Sequence, residues 1–193
     1  MNMKKFVDLF GCHFLYKVHY TGLENLDGIH QCLICPNHSN IFDPFFIYPV
    51  SNHLYIMAKA ELFKHKLLAK ILKHYHVFPV DRTKKDAKSL FYSLEIFETN
   101  EPRQLLIFPE GGVLKTEEEI GKRVRNGATF ISAQVGVPII PVYITRRPKL
   151  FSKVEVVFGK PFYVEKQLLK DKQKLKDKSK ELINTIYQLR FKT

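Results

Sequence analysis

The feature that most constrains the fold is an alternation of short apolar runs with longer amphipathic segments. Helical patterns lie at residues 44–50, 61–75, 84–98 and 126–135. Apolar runs typical of buried β-strands occupy residues 13–20, 31–35, 54–58, 77–80, 104–108, 139–144 and 154–158. Strands separated by helices are typical of parallel pairing, because a parallel connection must cross the sheet. The 193 residues therefore predict a single α/β domain, with a mixed, mostly parallel sheet flanked by helices.

The chain is strongly basic, which bears on its partners rather than on its fold. Lysine and arginine number 31 against 19 acidic residues, a formal net charge of +12 at pH 7. This excess favours partners that carry phosphate, such as an anionic membrane, a nucleic acid or a phosphorylated metabolite. The three cysteines cannot form a disulfide framework, so we expect a reducing compartment.

The two ends of the chain differ from the body between residues 21 and 165. We interpret residues 1–20 as an amphipathic segment that contacts a membrane. Residues 166–193 hold nine lysines or arginines against three acidic residues and predict a basic amphipathic helix. Its apolar stripe fits two compatible roles, packing on the domain and attraction to anionic lipid. The stripe consists of Leu168, Leu175, Leu182, Ile186 and Leu189.

A histidine and a carboxylate follow the second predicted strand. His38 and Asp43 can meet if His38 lies in the loop and Asp43 lies at the start of the next helix. A carboxylate on one imidazole nitrogen fixes the tautomer and leaves the other nitrogen to deprotonate a hydroxyl. The alternative is structural, because Asp43 before Pro44 is typical of a helix N-cap and Asn37 would then support the turn.

Two further strand ends carry polar groups. Arg82 follows the fourth predicted strand, where a guanidinium can bind a phosphate through two hydrogen bonds, or alternatively pair with Asp81 at the surface. Glu110 and Gly111 follow the fifth predicted strand. There a carboxylate can accept hydrogen bonds from substrate hydroxyls, and glycine lets backbone N–H groups approach a ligand. The alternative is a tight turn with Glu110 merely exposed.

Residues 30–38 hold two histidines and two cysteines at spacings that resemble a zinc site. We expect no metal there, because Cys32 and Cys35 are three residues apart in a predicted strand and so point to opposite faces. The sequence contains neither a second cysteine pair nor an HExxH motif that would complete such a site.

Taken together, four blocks resemble the glycerolipid acyltransferase family, specifically its 1-acyl-glycerol-3-phosphate acyltransferases. The blocks are NHSNIFD at 37–43, VFPVDR at 77–82, FPEG at 108–111 and VPIIPV at 137–142. Each block alone is short, but their order is specific, and the resemblance covers roughly residues 20–160.

The resemblance implies the glycerolipid-acyltransferase fold and an O-acyltransferase activity. A fatty acyl group would pass from an acyl-CoA or acyl carrier protein thioester to the free hydroxyl of 1-acyl-glycerol-3-phosphate, giving phosphatidic acid for phospholipid biosynthesis. It further implies that His38 is the general base, that Asp43 orients it, and that no cofactor or metal takes part beyond the thioester co-substrate. The substrate-binding candidates are then Asn37, Arg82 on the acceptor phosphate, Glu110, Gly111 and Pro138.

The third block departs from the family pattern. Gly112 and Val113 stand where the family usually has Thr-Arg, so a second phosphate-binding cation is missing there. The candidates to replace it are Lys115, Lys122, Arg123 and Arg125. Because of this departure, another lysophospholipid or an amino-acid lipid is an alternative acceptor.

A non-enzymatic alternative is a basic module that binds membrane or nucleic acid. Such a module has no use for a His–Asp pair beside a Pro-Glu-Gly-Gly loop, and the aromatic residues do not cluster with basic ones as a stacking surface requires, so we expect no nucleic-acid partner. Pro138 and Pro141 interrupt the longest uncharged stretch, so we expect a peripheral or monotopic protein at the cytoplasmic face of a membrane. Membrane contact would involve Phe6, Leu9, Phe10, Phe14 and Leu15.

Overall fold

The computed structural model describes residue 12 and residues 14–51, 53–81 and 86–192. The strands are β1 (Lys17–Thr21), β2 (Gln31–Pro36), β3 (Leu54–Lys59), β4 (Val77–Val80), β5 (Arg103–Leu106), β6 (Ile139–Ile144) and β7 (Lys153–Phe158). Within the described residues they form one seven-stranded sheet in the order β1-β7-β6-β2-β5-β3-β4. Neighbouring strands are parallel except for β6 and β7, which are antiparallel. The predicted α/β class with a mixed, mostly parallel sheet is confirmed.

Five α-helices accompany this sheet in the described part of the chain. They are α1 (Asp43–Ile47), α2 (Lys66–His74), α3 (Ala87–Glu95), α4 (Gly127–Val135) and α5 (Lys172–Gln188). None of them combines the length and the apolar character that crossing a bilayer requires.

The helix boundaries differ from the sequence prediction where local chemistry interrupts the helical pattern. The segment predicted as one helix at 61–75 is a 3-10 turn at Ala60–Lys64 followed by α2, because His65 between them has an extended backbone. The helix predicted at 84–98 begins only at Ala87, since the Asp86 carboxylate accepts a hydrogen bond from Ser89 N–H and caps the helix there. The first strand begins at Lys17 rather than at residue 13.

The order of the strands determines which helices cover which face. From β2 the chain moves to β3 and β4 in one direction across the sheet, and from β4 it returns through β5 to β6. Right-handed crossovers then place α1 and α2 on one face and α3 and α4 on the other. The first face buries Phe46 and Ile47 of α1 against the sheet. The second buries Ile131 of α4 together with Leu182 and Ile183 of α5.

The C-terminal helix packs on the domain by its apolar stripe. Leu175, Leu182 and Ile186 are buried in the core shared with α4, whereas most of its lysines are exposed. The packing role predicted for this stripe is therefore present. Attraction of the lysine face to lipid stays a prediction.

At the other end of the chain, residues 17–20 of the predicted membrane-contacting segment belong to β1, which pairs with β7. Of the predicted contact residues, Phe14 is exposed and Leu15 is half-buried. Phe6, Leu9 and Phe10 lie outside the described residues.

The cysteines of β2 point to opposite faces of the sheet. Cys32 packs with the α1 side of the core and Cys35 with the α4 side, as the alternation along a strand predicts. Among the described residues no three histidine, cysteine or acidic side chains converge as metal ligands would.

Candidate active site

The candidate site lies where two neighbouring parallel strands send the chain to opposite faces of the sheet. β2 leads into α1 on one face, and its neighbour β5 leads towards α4 on the other. A crevice forms at such a point because the two loops diverge outside the carboxyl ends of the strands. The loop after β2 carries His38, and the loop after β5 carries Phe108 and Glu110.

Asn37 fixes the start of the first loop. Its side-chain N–H donates to the Ile144 carbonyl at 3.0 Å, and its side-chain oxygen accepts from the Ile144 backbone N–H at 2.7 Å. Both ends of the buried amide are therefore engaged by β6. Asn37 therefore supports the turn, and its role in substrate binding stays a prediction.

His38 and Asp43 form a buried dyad. The His38 Nδ1 atom lies 3.0 Å from Asp43 Oδ2, which also accepts backbone hydrogen bonds from Ser39 at 2.7 Å and Asn40 at 2.9 Å. These donors hold the carboxylate in place, so Asp43 orients the imidazole with a proton on Nδ1 and leaves Nε2 to accept one. Asp43 is the first residue of α1 and does not cap it, since Phe42 occupies the N-cap position.

A stacked aromatic ring fixes the plane of the imidazole. The centroids of the His38 and Phe108 rings are 3.8 Å apart and the rings are inclined by 21°. The His38 residue is 8% exposed, so the protein immobilises the ring on most sides. An imidazole held in this way has little conformational freedom left to lose.

Glu110 holds the backbone of the loop between β2 and α1, here called the histidine loop because it carries His38. The His38 backbone N–H donates to Glu110 Oε2 at 2.7 Å, and the Tyr187 hydroxyl donates to Glu110 Oε1 at 2.6 Å. Glu110 is 1% exposed. Burial raises the pKa of its carboxyl to about 7, although the hydrogen bonds from Tyr187 and His38 oppose this rise. Each carboxylate oxygen thus accepts a hydrogen bond from the protein, and acceptance of hydrogen bonds from substrate by Glu110 stays a prediction.

The sequence interpretation missed Tyr187 and Arg146, which extend this network. Arg146 Nη1 donates to the Tyr187 hydroxyl at 3.1 Å, and Arg146 Nε pairs with Glu117 at 2.9 Å. The signal for Tyr187 was its place beside the apolar stripe of the C-terminal helix, because a buried tyrosine hydroxyl needs a partner. Which partner it finds, 77 residues away, cannot be read from helical spacing.

A cavity of about 290 Å³ opens on the α3–α4 face, and its lining includes neither His38 nor Asp43. Phe108, which stacks on His38, forms part of its wall. Asp81 and Asp86 line it as well, and the Asp86 carboxylate is engaged by the backbone N–H groups of Asp81 and Ser89. The apolar part of the lining comes mainly from Met57, Val80, Leu90, Ile107 and Ile131.

Gly111 and Arg125 meet at the wall of this cavity. Gly111 has a φ of +70°, and a Cβ there would lie 2.8 Å from Arg125 Cγ, so the glycine lets the arginine stem cross closely. The Arg125 backbone N–H donates to the Pro109 carbonyl at 2.9 Å, which ties it to the Pro-Glu-Gly turn. Its guanidinium makes no hydrogen bond or ion pair with any residue that the structure describes.

Among the remaining predicted residues that the structure describes, Pro138 is not brought to the dyad. Pro138 immediately precedes β6, at the amino end of that strand, whereas His38 follows the carboxyl end of its parallel neighbour. Arg82 lies outside the described residues. Of the four candidates for a replacement cation, Arg123 is paired with Glu119 at 3.3 Å, and Arg125 is the one that lines the cavity.

Comparison with known proteins identifies the family. Residues 17–145 match the protein family described as Acyltransferase. The chain belongs to this family. It is 29% identical over 149 residues to the curated 1-acyl-sn-glycerol-3-phosphate acyltransferase of Bacillus subtilis strain 168, covering 72% of this chain and 71% of that one.

The fold also resembles a solved structure. The crystal structure of the 1-acyl-sn-glycerophosphate acyltransferase PlsC from Thermotoga maritima superposes with a TM-score of 0.68 at 20% identity, covering 97% of this chain and 79% of that one. This likeness concerns the fold. The match to the acyltransferase family shows that the chain is an enzyme, an acyltransferase, and the predicted resemblance is confirmed. The interpretation as a non-catalytic binding module is set aside.

Proposed function

We propose that this acyltransferase transfers a fatty acyl group from an acyl thioester to the free hydroxyl of 1-acyl-glycerol-3-phosphate, giving phosphatidic acid. The observation that carries the proposal is the immobilised dyad. The Asp43 carboxylate is hydrogen-bonded to Nδ1 of His38, so Nε2 is left to act as a base. The acceptor is the one named for the relatives from Bacillus subtilis and Thermotoga maritima.

The chain's own residues then supply proton transfer. His38 Nε2 takes the proton from the acceptor hydroxyl as its oxygen attacks the thioester carbonyl carbon. The tetrahedral intermediate collapses, the carbon–sulfur bond breaks, and the thiol leaves with the proton that His38 returns. The products are an ester and a free thiol. Asp43 stabilises the imidazolium that exists between the two transfers.

No covalent acyl-enzyme is part of this proposal. The cysteines of β2 are buried, and burial raises the pKa of Cys32 to about 12 and that of Cys35 further, so neither offers a thiolate. The reaction as proposed uses neither a metal nor a cofactor beyond the thioester. The thioester would be that of coenzyme A or of acyl carrier protein.

We propose that Arg125 binds the phosphate of the acceptor. Arg125 lines the cavity whose wall includes Gly111 and Phe108, the ring that stacks on His38. It would supply the cation that Val113 cannot, because a guanidinium binds phosphate through two parallel hydrogen bonds. Arg82 stays a second predicted phosphate ligand.

The activity is tested by thioester consumption with purified protein and 1-acyl-glycerol-3-phosphate. Palmitoyl-CoA and palmitoyl carrier protein are compared as donors. We expect turnover by the wild type, loss of turnover in His38→Ala, and wild-type turnover in His19→Ala, an exposed histidine on β1. Turnover retained in His38→Ala would remove the assigned base. Turnover with other lysolipids but not with this acceptor would refute the acceptor.

The phosphate role is tested separately with Arg125→Gln. We expect the acceptor KM to rise about 10-fold to 100-fold, the range for loss of a charge-assisted hydrogen bond of about 1.5–3 kcal/mol, with an unchanged donor KM. Arg123→Gln is the matched control, because Arg123 is paired with Glu119 and does not line the cavity. Equal changes in both KM values would exclude the role.

A further inference from the structure

The outer face of α2 carries a stripe of exposed aliphatic side chains. No residue of this helix is buried. Leu67 is 75% exposed and Ile71, one turn later on the same side, is 48% exposed, with Leu68 beside them at 36%. Single exposed leucines are ordinary on protein surfaces, but three on nine residues of one helix mark an interaction surface.

A stripe of lysines runs alongside this apolar stripe. Lys66, Lys70 and Lys73 follow one another at helical spacing, and all are exposed. Residues 59–76 hold five lysines and one glutamate. That glutamate, Glu61, lies 3.9 Å from Lys59, and the three lysines of α2 make no ion pair with any described residue.

A second set of exposed apolar side chains lies next to the loop that carries His38. Ile41 and Phe42 precede α1 and Phe45 lies within it, and all three are exposed. α1 and α2 cover the same face of the sheet, and both begin at the edge where the carboxyl ends of the strands lie. Apolar side chains of both helices are thus exposed on the side of the molecule that carries His38.

We propose that the α2 face, defined as Leu67, Leu68 and Ile71 with Lys66, Lys70 and Lys73, docks on the surface of an anionic lipid bilayer. The lysines complement the negative headgroups, and the aliphatic side chains enter the boundary between headgroups and acyl chains. This contact assigns to α2 a membrane role that the sequence analysis gave to the two ends of the chain. This inference rests on the proposed function in one respect. Docking of α2 would bring the dyad to a lysolipid held in the bilayer.

The apolar stripe distinguishes a bilayer from an acidic protein partner. An acidic protein would match the three lysines, but Leu67 and Ile71 would then also need an apolar groove of matching shape. A fluid bilayer accepts them without such a groove. The combination of aliphatic and basic stripes on one short helix therefore favours lipid.

The first experiment is co-sedimentation with vesicles and needs no turnover. Vesicles of phosphatidylglycerol with phosphatidylcholine are compared with vesicles of phosphatidylcholine alone. We expect Leu67→Ser with Ile71→Ser to lower the partition coefficient on anionic vesicles about tenfold or more. Phe91→Ser is the matched control, since Phe91 is equally exposed but lies on α3, over the opposite face of the sheet. Unchanged binding of the double variant, with an unchanged circular dichroism spectrum, would overturn the proposal.

The charge contribution is tested on the same vesicles. Lys66→Gln with Lys70→Gln should lower binding to the anionic vesicles about tenfold and leave binding to neutral vesicles unaltered. Lys88→Gln with Lys160→Gln is the control pair, because both lysines are exposed and lie outside α2 and α5. An equal loss in the control pair would show attraction of the whole basic protein and would overturn the assignment to α2.

Turnover distinguishes this proposal from the proposed function. The Leu67 and Ile71 double variant should keep wild-type turnover on a short-chain acceptor dispersed in water and lose it on an acceptor embedded in anionic vesicles. The lysine variant could instead keep its vesicle binding and lose turnover only with the carrier-protein donor. That result would identify α2 as a protein-docking surface and overturn the proposal. Absence of turnover in the wild type on any acceptor would refute the proposed function, and the vesicle result would stand by itself.

Discussion

The buried carboxyl of Glu110 makes the stability of the fold depend on pH. Burial raises its pKa from 4.5 to about 7. In the unfolded chain the group ionises near its ordinary value, so between pH 4.5 and 7 the unfolded state has lost a proton that the folded state retains. The free energy of unfolding therefore decreases as pH rises through this window and is unaffected by this group below it.

The size of the effect follows from the two pKa values. Each pKa unit corresponds to about 1.4 kcal/mol, so ionisation of Glu110 costs the folded state about 3 kcal/mol at pH 8. In Glu110→Gln the side-chain oxygen still accepts from His38 N–H, and the new amide N–H donates to the Tyr187 hydroxyl oxygen. The variant keeps the geometry and removes the titration. Its stability relative to wild type should therefore rise by about 3 kcal/mol between pH 4.5 and pH 8.

Urea denaturation followed by circular dichroism at several pH values measures this difference. Glu118→Gln is the matched control, because it makes the same chemical change on an exposed glutamate nearby. The control should follow wild type at every pH. A difference between Glu110→Gln and wild type that stays constant from pH 4.5 to pH 8 would refute the assignment of a raised pKa to this carboxyl.

Two further predictions concern catalysis. Asp43→Asn should lower kcat about 10³-fold to 10⁴-fold, because an amide favours the wrong imidazole tautomer of His38, and a kcat within tenfold of wild type would contradict the dyad. Tyr187→Phe removes a hydrogen bond that lowers the pKa of Glu110, so the pKa of this carboxyl should rise further. If the ionised carboxylate is needed to hold the loop that carries His38, the pH midpoint of the acid limb of kcat/KM should rise with this pKa. An unchanged midpoint would show that catalysis does not depend on ionisation of Glu110.

The class of the fold could be predicted from local pattern, whereas the direction of the last strand pair could not. Each apolar run between helices matches a strand of the sheet, since burial on both faces requires continuous apolar residues. β6 and β7 are linked without an intervening helix, and they pair antiparallel. That the chain then places β1 beside β7 depends on contacts between residues more than 130 apart, which no local pattern encodes.

The site was predictable where its chemistry is local. His38 and Asp43 are five residues apart, so one loop and one helix start bring them together. The direction in which the Glu110 carboxylate points was not predictable, because it depends on Tyr187 and on the burial of a turn that reads as exposed in sequence. The predicted start of α3 was wrong for a similar reason. The Asp86 side chain caps the helix at its N-terminus, although the apolar pattern alone fits a longer helix.

Burial of the Glu110 carboxylate destabilises the fold, and a hydrogen bond from Tyr187 on α5 offsets part of that destabilisation. An apolar side chain there would avoid the burial of a charge, but it would leave the buried His38 N–H without an acceptor, at about 1–3 kcal/mol. Tyr187 satisfies the second oxygen of Glu110, and Arg146 satisfies Tyr187. The hydrogen-bond network thus links the histidine loop to the C-terminal helix.

Removal of residues 166–193 would therefore affect more than the charge of the surface. It would leave Glu110 Oε1 without its donor and expose the core face that Leu182, Ile183 and Ile186 now cover. Each such leucine or isoleucine contributes about 2–5 kcal/mol by large-to-small substitution, and the whole domain is stabilised by only about 5–15 kcal/mol. We expect a chain ending at residue 165 to lose cooperative urea unfolding altogether. A truncated chain that still unfolds cooperatively, with only its vesicle binding weakened, would show that the helix serves lipid attraction and not the core.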